Sequence, residues 1–240
     1  MVKKTKLKQR QIATPVSLVI PVFNNALTLT SQLKACEFVM ENIPQEYEIL
    51  ISDDKSTDES KRLLKAFSKN KKIKTYYQKT NVGIAKNIQL LYKKAHFPLI
   101  AIFSLDGDWN SKDIEKLIRK QKVTDAGIVI GKRNINEYSF SRKMVSYIYN
   151  LLPLLLFQVK TYDTGSIKIF KKEIIDSIPL TLQSVSFESE MLIKAVKKGY
   201  TIEIIPITFK KHNKKKKSGV TVRVVMLSLF DLLKLKMQGI

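Results

Sequence analysis

From Val16 to Gly131 the chain alternates short apolar runs with stretches of helical periodicity, and that alternation leaves few folds open to it. Val16–Val22, Tyr47–Ser52, Ile73–Tyr77, Pro98–Phe103 and Ala126–Gly131 read as strands. Between them, Leu27–Met40, Glu59–Ser68, Ile84–Ala95 and Lys112–Gln121 read as helices. Ser56 and Glu59 fit a capping box ahead of the second helix. Single helices between successive strands imply right-handed crossovers and a mostly parallel sheet flanked by helices. Ligands bind such α/β sheets beyond the carboxyl ends of the strands.

After residue 131 the pattern loosens. Tyr147–Phe157 is apolar, Gly165–Phe170 and Thr201–Phe209 read as strands, and Phe187–Lys198 reads as a helix. A basic tract, Lys210–Lys217, precedes a basic amphipathic helix over Val220–Lys236. Nothing in the composition marks a linker. The expected division is a basic tail at 1–14, one domain over 15–219 and a C-terminal helix over 220–240. The apolar stretch Met144–Val159 is interrupted by Asn150, Pro153 and Gln158 and falls short of the roughly 20 residues of a spanning helix. The basic start, Met1–Arg10, has no apolar run after it, so no secretory signal is expected.

Charge narrows the partners. With 43 Lys and Arg against 21 Asp and Glu, the chain carries a formal charge of +22, which favours phosphate-rich partners. Its single cysteine, Cys36, lies in an apolar helical pattern, excludes an internal disulfide framework and fits a reducing compartment. His212 has no cysteine or second histidine near it, which argues against a zinc site.

The acids fall where the fold would place a ligand. Asp53-Asp54 follows the second strand and Asp106-Gly107-Asp108 follows the fourth. In an extended segment residues i and i+2 point to one side, so both Asp106 and Asp108 are expected to face a common point. Gly107 adds no side chain and lets a ligand approach the backbone. Such paired oxygen donors suit Mg²⁺ or Mn²⁺ held between protein and a diphosphate. A lone Asp-x-Asp is also a common solvated turn, and Asp53 to Asp58 is also an ordinary cap-rich loop.

Taken in order, Pro21-Val22-Phe23-Asn24-Asn25, Asp53-Asp54-Lys55-Ser56-Thr57-Asp58, Asn81-Val82-Gly83-Ile84-Ala85-Lys86-Asn87, Asp106-Gly107-Asp108, Gly131-Lys132-Arg133, Asp163-Thr164-Gly165, Phe187-Glu188-Ser189-Glu190 and Glu203-Ile204-Ile205-Pro206-Ile207 form a set. That set resembles the inverting family 2 glycosyltransferases of GT-A fold, most closely the dolichol- or polyprenyl-phosphate mannosyl- and glucosyltransferases. The resemblance implies a GT-A (Rossmann-like) fold and a nucleotide-sugar donor, with Pro21, Phe23, Asn25, Asp53 and Asp54 lining the nucleotide pocket. It places Gly83, Lys86, Asp163, His212 and Lys217 among the substrate-binding residues and Asp106 and Asp108 on the metal. Arg133 would face the diphosphate or the lipid phosphate. Asn25 stands where the family often has an acid, Asn110 where it commonly has Gln, and the late basic signature is altered around His212 and Ser218-Gly219.

The chemistry follows independently. Negative charge developing on a leaving diphosphate is stabilised by a divalent metal and by nearby Lys or Arg. A hydroxyl acceptor needs a positioned base, whereas a lipid monophosphate, already largely ionised near neutral pH, does not. Glu188 and Glu190 are the candidate bases. At i and i+2 of a helix they do not share a face, and Glu190 is expected to be the inward one. The lysine tract and the helix after it suit an anionic membrane surface, which places the enzyme on the cytoplasmic face of a membrane, alone or with a membrane-protein partner. Transfer to a glycan, lipid or protein hydroxyl, nucleotidyl transfer, an inactive relative and a nucleic-acid-binding protein are the other readings; no aromatic RNA-binding or zinc-finger signature supports the last.

Overall fold

The computed structural model describes residues 14–134, 140–209 and 222–240. Its strands are β1 (Val16–Val22), β2 (Tyr47–Asp53), β3 (Ile73–Tyr77), β4 (Leu99–Ile102), β5 (Ile128–Arg133), β6 (Lys168–Lys171) and β7 (Ile202–Ile207). Its helices are α1 (Ala26–Glu41), α2 (Ser60–Phe67), α3 (Ile84–Lys94), α4 (Lys112–Thr124), α5 (Phe140–Phe157), α6 (Lys172–Ser177), α7 (Phe187–Lys197) and α8 (Val222–Met237). The basic tail up to residue 13, His212, Lys217 and the rest of the lysine tract lie outside the described residues.

The strands form one seven-stranded sheet in the order β3-β2-β1-β4-β6-β5-β7. β1 and β2 are buried at every position, because helices cover both faces. Leu18, Ile20 and Val22 turn to one side, against Leu29 and Leu33 of α1 and Ile114 and Leu117 of α4. Val19, Leu50, Ile100 and Ile102 turn to the other, against Ile88 and Leu91 of α3 and Phe187 and Met191 of α7. Each such side chain contributes about 1.5–3 kcal/mol on burial. Cys36 is buried in the first of these layers, and burial pushes its thiol pKa far up, so it packs as a small apolar group.

Two features of the topology position the site. The chain steps from β1 to β2 and β3 on one side, then places β4 on the other side of β1, all in parallel. The carboxyl ends of β1 and β4 therefore flank a topological switch point, where open α/β sheets bind ligands. The second feature is β6, which is antiparallel to both β4 and β5. After α5 the chain re-enters the sheet from the carboxyl-end side, so the segment just before β6 is delivered to that same end. The mostly parallel sheet expected from the alternation is thus present, with one reversed strand inserted in it.

Two local readings are corrected. The Ser56–Glu59 capping box does not form: Glu59 occupies the N-cap of α2 without a side-chain cap bond, and the Ser56 hydroxyl accepts the Asn24 N–H instead. The short α6, which follows β6 without a break, was not anticipated. The C-terminal helix falls where it was expected and packs on α5 through Leu152, Phe157, Leu232 and Leu235. Among the described residues no helix is long and apolar enough to cross a membrane.

Candidate active site

The loops after β1 and β2 are wired into one surface. The Asn24 N–H donates to Ser56 Oγ at 2.9 Å, and Asn24 Oδ1 accepts the Thr57 N–H at 2.8 Å. The Asn25 N–H donates to Ser60 Oγ, and Asn25 Oδ1 accepts the Phe23 N–H. Asn25 is thus the N-cap of α1 by position, but the capping acceptor comes from the neighbouring loop: Asp58 accepts the Ala26 N–H at 2.9 Å. Burial would raise the Asp58 carboxyl, but hydrogen bonds from the Ser60 side chain and from backbone amides outweigh it and hold its pKa below the ordinary range. Asn24, Lys55 and Tyr162 adopt φ of 52°, 60° and 60°, a left-handed conformation that costs such residues on the order of 1–3 kcal/mol each and that concentrates at working sites.

The acids after β2 divide their labour. Asp54 accepts the Val82 and Gly83 N–H groups at 2.7 and 2.9 Å, fastening the start of α3 to the end of β2. Gly83 sits at φ 84° with open space where a side chain would project, so a ligand can reach its backbone. Asp53 accepts the Ser56 N–H at 3.3 and 3.4 Å, contacts long enough to leave acceptor capacity. Phe23 and Lys86 are exposed, whereas Pro21 is buried within β1 opposite Ser52.

Asp106-Gly107-Asp108 lies at the carboxyl end of β4, beside the switch point, but not in the extended form expected. The strand stops at Ile102 and the three residues form a bend: the Asp108 N–H donates to Asp106 Oδ1 at 3.1 Å, with Gly107 at φ 84°. The hydroxyl of Thr28, in the first turn of α1, donates to Leu105 O and ties the bend to the β1 side of the switch point. Both carboxylates are half-buried. Two hard oxygen donors at one bend fit the Mg²⁺ or Mn²⁺ habit of using one or two carboxylates plus substrate phosphates.

The third part comes from β5 and the segment before β6. Arg133 donates from Nε to Asp163 Oδ2 at 2.8 Å, from its other guanidinium arm to Oδ1, and from its backbone N–H to Oδ2 at 3.1 Å. The guanidinium also lies 5.5 Å from the Trp109 ring centre and 5.3 Å from that of Phe209, and the two rings meet edge-on at 4.9 Å. This clamp fixes Arg133 next to the Asp106–Asp108 bend through the adjoining Trp109. Trp109 and Phe209 were missed from sequence, although the only tryptophan of the chain standing directly after Asp108 was a usable signal.

Both glutamates of α7 are buried, although only one was expected to turn inward, and the Glu190 carboxylate is taken up by protein partners. Glu190 is fully buried and its oxygens accept the Thr181 and Leu182 N–H groups, the Thr181 hydroxyl and Lys194 Nζ, so it staples the 179–182 segment to α7. Glu188 instead pairs with Lys168 at 2.9 Å, in the field of Arg133 and Asp163. Burial raises the Glu188 pKa; Lys168 and Arg133 pull it back and Asp163 adds to the rise, leaving it above the ordinary carboxylate range. Lys168, wholly buried at the start of β6, was missed from sequence, though a lysine inside an apolar strand was its signal.

Comparison with known proteins gives a consistent picture. The sequence model of Glycosyl transferase family 2 matches residues 17–179. A dodecaprenyl-phosphate galacturonate synthase of Rhizobium johnstonii is 26% identical over 171 residues, covering 69% of this chain and 50% of the relative. A dolichyl-phosphate beta-glucosyltransferase of Dictyostelium discoideum is 25% identical over 217 residues, covering 81% of this chain and 66% of the relative. The chain therefore spans half to two thirds of the length of these curated relatives. Among solved structures, the glucosyl-3-phosphoglycerate synthase of Mycobacterium tuberculosis in complex with Mn²⁺, UDP and glucosyl-3-phosphoglycerate superposes with a TM-score of 0.68 at 14% identity, over 92% of this chain and 78% of that one. At that identity the likeness speaks for the GT-A fold alone.

Proposed function

The chain belongs to glycosyl transferase family 2, and on that footing we propose that it transfers a hexose from a UDP- or GDP-sugar, with inversion, to a polyprenyl or dolichyl phosphate. The observation that carries this reading is the pair of half-buried carboxylates, Asp106 and Asp108, at the switch point between β1 and β4. The names of the two curated relatives, both of them lipid-phosphate glycosyltransferases, support the acceptor class. Such an acceptor would reside in a bilayer, and in our reading the enzyme works at the cytoplasmic face of that membrane.

The residues divide the task. Asp53 and the Phe23–Asn25 loop receive the nucleoside. The Gly83 backbone and Lys86 approach the donor, and Arg133, oriented by Asp163, adds positive charge beside the phosphates. Asp106 and Asp108 would hold Mg²⁺ or Mn²⁺, which supplies neutralisation of the diphosphate charge. An acceptor phosphate oxygen attacks the anomeric carbon from the side opposite the diphosphate. The bond from that carbon to the diphosphate oxygen breaks, and the nucleoside diphosphate leaves with the electron pair. The nucleophile arrives ionised, so no strong base is required. His212 and Lys217 are proposed as further phosphate contacts.

Glu188 favours one second reading. A carboxyl held above its ordinary range suits a general base, as a hydroxyl acceptor would need. Glu188→Gln separates the two: with a lipid-phosphate acceptor, turnover per folded molecule is expected to stay within about tenfold of wild type, and with a hydroxyl acceptor to fall about 10²–10⁴-fold. Rates for both acceptors, measured on the same preparation, decide between them.

A further inference from the structure

We infer that the outward face formed by α5 and α8 docks on an anionic bilayer, an assignment that rests on the lipid-phosphate acceptor proposed above. α8 buries Ser228, Leu232 and Leu235, yet a second stripe on the same helix, Met226, Phe230, Leu233 and Met237, stays exposed at i, i+4, i+7 and i+11. Phe230 is 64% exposed and Met237 81%. α5, which packs along α8, also leaves large apolar side chains exposed, Tyr147 at 63% and Leu155 at 67%. A helix that merely covers a core turns polar residues to water, so large apolar side chains on two neighbouring helices mark a contact surface.

The charge around the patch selects the occupant. α5 contains no acidic residue, and the one acid of α8, Asp231, is half-buried and accepts the Ser184 hydroxyl. The exposed charges of α8 are Arg223, Lys234 and Lys236. A second copy of the chain would set this basic rim against itself, whereas anionic headgroups complement it while the apolar side chains enter the acyl boundary. α5 and α8 follow β5 and β7 in the chain, and those strands lead to Arg133 and Phe209 at the site.

Co-sedimentation of the full chain with phosphatidylcholine vesicles, with and without phosphatidylglycerol, tests this. The paired substitution Met226→Glu with Phe230→Glu is expected to weaken partitioning onto the anionic vesicles at least about tenfold, while Phe38→Glu, a like change at a 67% exposed position on α1, stays within about twofold of wild type. Equal thermal melts show that both variants are folded. With a short-chain, water-soluble prenyl phosphate the paired variant should turn over as wild type does. Wild type that ignores both vesicle types, a paired variant that partitions as wild type, or a wild-type dimer dissolved by the paired substitution would overturn the assignment. Vesicle binding through this face without turnover of any prenyl phosphate would uphold the docking and refute the acceptor.

Discussion

Asp108→Asn is expected to lower sugar transfer by about 10²–10³-fold while leaving the fold intact. The bend that carries Asp108 is held by its own backbone N–H on Asp106 and by Thr28 on Leu105, and neither bond uses the Asp108 side chain. The substitution therefore leaves both of these bonds in place while removing one negative oxygen donor. Asp106→Asn is the less informative variant, because the Asp106 carboxylate also orders the bend. Excess chelator should bring wild type down to the rate of Asp108→Asn and leave the variant where it is. An unchanged melting temperature would confirm that chemistry and not folding was lost. A variant that turns over at the wild-type rate, with wild type indifferent to chelator, would remove the paired aspartates from the account.

Lys168→Met is expected to cost the fold about 3–5 kcal/mol, or roughly 6–20 °C in melting temperature for a chain of this size. The Lys168 side chain is wholly buried and its partner Glu188 on α7 nearly so, so removing the lysine strands a carboxylate in the interior. Lys168→Met combined with Glu188→Leu should recover most of the loss, because an apolar pair of similar volume carries no desolvation penalty. The pH dependence has a definite sign. Glu188 is raised above the ordinary carboxylate value of 4.5 in the folded state, so between that value and the raised one the folded chain keeps a proton the unfolded chain has lost. This group's contribution to stability therefore falls as pH rises through that window, more so in Lys168→Met, and Glu188→Gln abolishes the fall. Urea unfolding across acidic to neutral pH measures all of these. A Lys168→Met protein as stable as wild type at every pH would show that the pair is not buried as described.

The parts of the fold that could be read in advance were those where local pattern and tertiary burial coincide. β1 and β3 matched their expected residues at both ends, and β1 could be read because burial on both faces leaves an apolar run broken only by Ser17. At β6 a strand was read, over Gly165–Phe170, but not its reversed direction, because strand direction leaves no local mark. That acids stand at the ends of β2 and β4 was legible, but the side-chain geometry of the candidate site was not. Asp106 and Asp108 sit in a bend and not in the alternation of a strand. Ser56 lost its capping role to a competitor, Asn24, that lies 32 residues away in sequence. Which of Glu188 and Glu190 turns toward the site depends on how α7 docks through Phe187 and Met191, a rotation that spacing alone leaves undecided. In α8 the apolar pattern was clear, but which stripe the core covers could be seen only with α5 beside it.

The most direct test is the identity of the product. The chain, incubated with a panel of UDP- and GDP-sugars, a short-chain polyprenyl phosphate, a sugar-hydroxyl acceptor and Mg²⁺ or Mn²⁺, should yield a hexose joined to the lipid through a single phosphate, recognisable by mass spectrometry. Sugar found only on the hydroxyl acceptor, with no sugar–phosphate bond in any product, would contradict the account.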